Sequence, residues 1–183
     1  MVESAARSVP EVPAHTWLRA TPPGLRLIFQ GDAAARSAAA AAWGVAFSEE
    51  PCRAVVGDGR ATLWLGPDEF LLLAADPDSG ATAAAALEQA LGATPHALVD
   101  VSHRQFAVEL FGPHAVTILN GACPLDLDLA EFPVGMCTRT VLAKADIVLW
   151  RTRADAFHLE VWRSFSGYVT GLLREIALEF YAG

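Results

Sequence analysis

The chain has 183 residues, enough for one substantial core, with 53% apolar and 19% charged side chains and a net charge of −8. Twenty-one acidic residues face only 13 basic ones, and no Lys/Arg cluster concentrates positive charge, which excludes a phosphate backbone or an anionic bilayer as an expected partner. The low charged fraction and the mean hydropathy of +0.32 have two sources to choose between: an excess of small alanines at 33–42 and 81–86, or apolar surface reserved for another chain.

In chain order, residues 1–22 read as an extended N-terminal arm, because Pro10, Pro13 and Pro22 stand among small residues. Trp17 and Leu18 stand out in it; they are expected to fold back onto the domain or to dock on a partner. Residues 23–183 read as one α+β domain. Leu25, Leu27 and Phe29 alternate as a strand, and Asp32 and Gly44 cap a helix running to Trp43. Thr62-Leu63-Trp64-Leu65 and Phe70-Leu71-Leu72-Leu73 flank Gly66-Pro67-Asp68-Glu69 as a hairpin. Asp76-Pro77-Asp78-Ser79-Gly80 reads as its closing turn, and a helix through Leu87 and Leu91 stops at Gly92.

The pattern then repeats. Phe106, Val108 and Leu110 alternate as a strand, and Pro113 takes the first position of a helix carrying Val116 and Leu119. A loop follows, then strands at Thr138–Leu142, Ile147–Trp150 and Phe157–Val161. Ser164 is the expected cap of a last helix, in which Val169, Leu172, Leu173, Ile176 and Phe180 share one face. Strand enters helix through Gly31 and Gly112 alike, and Leu63-Trp64 matches Leu149-Trp150. These matches predict two ferredoxin-like strand–helix–strand–strand–helix units, about 24–92 and 97–180, sharing one long sheet with helices on one side.

Recognised chemistry is sparse. Cys52, Cys123 and Cys137 form no CxxC pair, and no His sits at metal-ligand spacing from another ligand. No phosphate loop or GxSxG is present, so no metal, flavin, nucleotide or catalytic residue is expected in this chain. His158, outward on its strand, reads as a surface or partner-facing histidine. The N-terminus has no basic stretch before an apolar run, and no window approaches ~20 apolar residues; both predict a cytoplasmic chain with reduced thiols. Two stretches remain. Asp100-Val101-Ser102-His103-Arg104 offers polar groups either to a pocket rim or to local hydrogen bonds. Trp162-Arg163-Ser164-Phe165 offers interface-type side chains at an element junction, or a packed Trp beside a solvated Arg.

A resemblance bears on both. Val99-Asp100-Val101-Ser102-His103-Arg104, Leu110 to Ala115 through Gly112, and Leu119-Asn120 resemble a run of the glycine-cleavage T protein family, whose duplicated α+β domain binds folate. Leu65 to Leu72, Phe132-Pro133-Val134-Gly135, Arg139-Thr140 and Phe157 to Phe165 resemble the gamma subunits of heterotetrameric sarcosine oxidases, over most of residues 24–180. The T-protein pattern has an Asp after its helix-ending Asn, whereas Gly121 follows Asn120 here, and no counterpart of its second domain is expected. The resemblance therefore implies a non-catalytic small subunit that docks through Trp17, Arg139, Trp162, Arg163 and Phe165. Ser102, His103, Arg104 and Asn120 would rim a vestigial pocket. It implies alpha, beta and delta partner subunits carrying FAD, FMN, NAD and tetrahydrofolate. That complex demethylates sarcosine to glycine, with hydrogen peroxide and methylene-tetrahydrofolate as further products. Alternatives are the equivalent subunit of an N-methylglutamate dehydrogenase, or a stand-alone folate-dependent aminomethyltransferase-like protein.

Overall fold

A computed structural model describes residues 16–22 and 24–181. Along the chain run β1 (Leu18–Ala20), β2 (Leu25–Gly31), α1 (Ala33–Trp43), β3 (Ala54–Gly57), β4 (Arg60–Gly66), β5 (Glu69–Ala74), α2 (Pro77–Leu91) and β6 (His96–Asp100). Then follow β7 (Gln105–Phe111), α3 (Ala115–Asn120), β8 (Cys137–Leu142), β9 (Ala145–Arg153), β10 (Ala156–Trp162), a 3₁₀ turn (Arg163–Phe165) and α4 (Ser166–Tyr181). The fold is α+β, with two five-stranded antiparallel sheets, β3-β4-β5-β2-β6 and β1-β7-β10-β9-β8.

The expected single sheet with helices on one side is not what forms. On β2 and β5, Leu27, Phe29, Phe70 and Leu72 pack under α1 and α2 with Trp43, Leu87 and Leu91. The intervening residues Ile28, Leu71 and Leu73 are also apolar, so the other face needs cover as well. It is covered by the second sheet, through Cys137, Val148 and Trp150. The outer face of that second sheet, with Val108, Leu110, Leu149, Phe157 and Leu159, packs on Ile118, Leu119, Val169 and Leu173 of α3 and α4. The layers thus run helices, sheet, sheet, helices. At one corner the sheets are sewn together: Arg53 bridges Met136, Ala54 N donates to Gly135 O (2.8 Å), and Cys137 N donates to Cys52 O (2.9 Å).

Local chemistry explains the helix ends. Asp32 accepts from Ala35 N at 2.9 Å, and Gly44, at φ +77°, closes α1 in the left-handed region that disfavours any other residue. Asp76 is a second cap rather than part of a closing turn: it accepts from Ser79 N at 3.0 Å, with Pro77 already helical. Gly80 lets α2 lie close on β2, since a Cβ there would meet the Leu25 Cβ at 2.8 Å. Two expected starts shift. α3 opens at Ala115 with His114 at the cap position, leaving Pro113 outside, and Ser164 lies in the 3₁₀ turn, so Ser166 opens α4.

The described part of the arm is not free-standing. Leu18 pairs with Leu110 across β1 and β7, and Trp17 is buried and stacked on Tyr181 at 5.4 Å. The loop 121–136 is held by Arg151, whose buried guanidinium donates to Leu127 O (2.9 Å) and Phe132 O (2.7 Å). No described helix is long and apolar enough to cross a membrane.

Candidate functional site: the inter-sheet cleft and its aromatic rim

On β10, Phe157, Leu159 and Val161 point to the helices, so His158, Glu160 and Trp162 alternate into or beside the space between the sheets. From β2 of the other sheet, Arg26 projects into the same space. Its Nε donates to both Glu160 oxygens at 2.9 and 2.8 Å, and its Nη1 donates to Gly24 O at 3.1 Å. His158 Nε2 lies 2.8 Å from Glu160 Oε1. Arg26 is 5% exposed and Glu160 1%. Burial pushes the Glu160 carboxyl up, but the hydrogen bond and charge of His158 and the charge and hydrogen bond of Arg26 outweigh it, leaving the group below the usual glutamate range. A carboxylate held by these N–H groups is a structural anion, not an acid or base ready to exchange protons. His158 is accordingly half-buried and turned inward, correcting the expectation of a surface histidine.

Three cavities adjoin this pair. One of about 270 Å³ lies between Ile28 and Leu71 of one sheet and Val148 of the other, with Gln105, Arg139 and Trp162 around it. One of about 280 Å³ is bordered by Ser102, His103, Gln105 and Arg163, and one of about 220 Å³ by Leu73, Trp150 and His158. Glu160 borders the first and the third, and Gln105 the first and the second. Gln105 Oε1 and Trp150 Nε1 are buried and have no hydrogen-bond partner among the described residues.

The rim gathers several of the expected residues. Ser102 Oγ accepts from Arg26 N (2.9 Å), and Ser102 N donates to Asp100 Oδ1 (2.8 Å), so the polar strand entry organises local backbone. Arg163 Nε donates to His103 O (3.0 Å), and its backbone N donates to Arg104 O (2.7 Å). The Arg104 guanidinium lies 5.2 Å from the centre of the Trp162 ring. Trp162 is 48% exposed and Phe165 38%, and Tyr168, which sequence reasoning missed, is 40% exposed and edge-on to Phe165. Arg139 spans the sheets to Glu69 in a two-pronged pair, and that hydrogen bonding holds the Glu69 carboxyl below its ordinary range.

Two expected residues lie elsewhere. Asn120 ends α3, exposed, and borders none of the three cavities. Trp17 is spent inside the core of the second sheet rather than offered to a partner. Arg26, Glu160 and Gln105 were also missed; the signal was a charge or amide at an alternating position in an otherwise apolar strand. Among the described residues, no three His, Cys, Asp or Glu side chains converge as metal ligands. Burial pushes the Cys137 thiol up to about 12, and its S–H donates to Trp64 O at 3.6 Å.

Stacked antiparallel sheets with outer helices define a fold class that recurs in a solved protein of unlike sequence. The glycine cleavage system aminomethyltransferase T from Bartonella henselae superposes with a TM-score of 0.64 over 85% of this chain and 44% of that one, and at 13% identity this is a likeness of fold alone. The sequence narrows the class: residues 30–179 match the profile of SoxG, the sarcosine oxidase gamma subunit family, and the chain belongs to that family. It is 38% identical over 123 residues to the sarcosine oxidase subunit gamma of Corynebacterium sp. (strain P-1), an alignment covering 67% of this chain and 59% of that relative's length. A chain of the heterotetrameric sarcosine oxidase from Corynebacterium sp. U-96, solved in complex with pyrrole 2-carboxylate, matches with a TM-score of 0.84 at 33% identity. That match covers 91% of this chain and 85% of the other.

Proposed function

We propose that this chain is the small, non-catalytic subunit of a cytoplasmic, heterotetrameric sarcosine oxidase-type complex. The observation that carries the reading is the match, over 91% of this chain, to a chain of such an assembly. Alpha, beta and delta partner subunits carry the FAD, FMN, NAD and tetrahydrofolate. The complex demethylates sarcosine to glycine, with hydrogen peroxide and methylene-tetrahydrofolate as products. The locked Arg26–Glu160–His158 group supports a bracing role, because it joins two sheets and engages the Glu160 carboxylate in doing so.

Docking takes place through Trp162, Arg163 and Phe165, with Tyr168 beside them and Arg139 at the flank. Exposed aromatics next to guanidinium groups are what interface anchors are made of. The domain, with the bounds 23–183, is two ferredoxin-like units that arose by duplication; of the arm 1–22 before it, residues 1–15 lie outside the described residues. Strand orders β6-β2-β5-β4 and β1-β7-β10-β9 support this, with β1 filling in the second the edge that β6 fills in the first. Superposing 24–92 on 105–180 tests the duplication; strands overlaying in a different order would end it.

The functional test is isolation of the native assembly under mild conditions. The chain is expected to co-elute with flavin-bearing larger subunits in a species that oxidises sarcosine and releases peroxide. A lone 19.4 kDa species beside a fully active larger assembly would overturn the reading.

A further inference from the structure

The corner that sews the two sheets together places two cysteines opposite each other. Arg53 and Met136 are bridge partners, so Cys52 and Cys137 are the next pair along, and the Cys137 N–H donates to the Cys52 carbonyl at 2.9 Å. A single N–H···O bond joins the two, and residues that face each other across antiparallel backbones have Cα atoms about 4.5–5.5 Å apart, inside the span of roughly 4.4–6.8 Å that a disulfide bridges. The two thiols differ in access. Cys52 is half-buried and sits at φ +58°, the left-handed region, whereas Cys137 is fully buried and its sulfur rests 3.6 Å from Trp64 O, across the same corner. Cys123, the third free thiol, belongs to the core under α3 and α4, away from this joint.

We propose that Cys52 and Cys137 form a peroxide-responsive thiol pair, whose oxidation to a disulfide locks the joint between the two sheets. The oxidant is hydrogen peroxide, which on the subunit reading above is released by the assembly itself; that clause rests on the proposed function, and the thiol chemistry does not. The more accessible Cys52 sulfur attacks one peroxide oxygen, the O–O bond breaks, and Cys52 becomes a sulfenic acid with release of water. The Cys137 sulfur then turns from the Trp64 carbonyl and attacks the Cys52 sulfur. The S–S bond forms, the S–O bond breaks, and hydroxide leaves with the Cys137 proton as a second water. Two thiols and one peroxide thus give one disulfide and two waters. The buried, proton-holding Cys137 makes the second step the slow one. The new bond closes the 84-residue stretch between them, and a loop of that length strongly restricts the unfolded chain.

The purified native assembly is treated with hydrogen peroxide in one arm and supplied with sarcosine, with and without catalase, in the other. Each sample is alkylated and digested, and the peptides are weighed. The expected result is a peptide pair joined through Cys52 and Cys137, about 2 Da lighter than the reduced pair and reversed by dithiothreitol. It is accompanied by a rise of at least ~5 °C in the melting temperature of this chain. Cys52→Ser and Cys137→Ser should each abolish the joined peptide. If reagent peroxide leaves both thiols alkylatable, or converts Cys52 to sulfinic or sulfonic acid without linkage, the pair is not a switch. A disulfide under reagent peroxide but none under turnover would overturn the self-generated oxidant. An assembly that lacks this chain would instead overturn the subunit reading and leave the reagent arm to decide the thiol chemistry.

Discussion

Arg26 and Glu160 give up their hydration between two sheets, and among the described residues their side chains are bonded by each other, His158 and the Gly24 carbonyl. Such a group stabilises little against a well-packed apolar substitute but is costly to break. Arg26→Met alone is therefore expected to cost about 3–5 kcal/mol, since it strands the Glu160 charge, while Arg26→Met with Glu160→Leu costs far less. Urea unfolding of the single and double variants checks this, and additive losses would refute the coupling. The same group sets an acid limit. Glu160 titrates below its ordinary value when folded, so its contribution is complete above the ordinary glutamate pKa of about 4.3 and is lost as pH falls through the depressed one. Stability should fall more steeply with acid below pH ~4 in the native chain than in the double variant. The sequence hides this pair because Arg26 and Glu160 lie 134 positions apart, and only the stacking of the sheets brings them together. What it does show is a charge inside an apolar strand, at Arg26 between Leu25 and Leu27 and at Glu160 between Leu159 and Val161.

At the scale of elements, local signals sufficed wherever the determinant was local. Asp32 and Gly44 bounded α1, and the Gly66-Pro67-Asp68 turn located the β4–β5 hairpin, because caps and turns are written in consecutive residues. Elements whose stability is borrowed from distant partners were harder. β1 has three residues in a Pro-rich setting and exists through its pairing with β7, and β6 is a short edge held by β2. The stacking of the sheets escaped for the same reason: apolar residues on both faces of β2 and β5 were visible, but not what would cover the second face. β1 makes a clear prediction. Trp17 is 5% exposed and stacked on Tyr181, so Trp17→Ala should cost about 3–5 kcal/mol and loosen the end of α4. Amide hydrogen exchange should quicken first at β1 and around Tyr181; uniform exchange across both sheets would mean that the arm is not an independent edge.

At the scale of the whole molecule, the chain carries its negative charge broadly, yet one end gathers exposed aromatics with guanidinium groups. Trp162, Phe165 and Tyr168 stand 48%, 38% and 40% exposed, with Arg104 over Trp162 and Arg163 pinned to the His103 carbonyl. That pinning matters for association. Side chains already held in place lose less freedom on binding, so more of the burial appears as affinity. A surface of this kind at the centre of an obligate interface, typically above ~2,000 Å², meets apolar and acidic groups on its partner. Trp162→Ala should then weaken association with the larger subunits by at least ~2 kcal/mol, about thirtyfold. Arg163→Ala should cost less than Trp162→Ala, because part of the guanidinium's hydrogen bonding is already satisfied inside the chain. Leu178, 56% exposed and further along α4, provides the control, and Leu178→Ala should leave assembly unchanged. Co-expression of each variant with the larger subunits, followed by sizing and sarcosine turnover, separates the cases. Normal assembly of all three variants would move the docking surface away from this end. Loss of assembly with Leu178→Ala but not Trp162→Ala would place it along the outer face of α4.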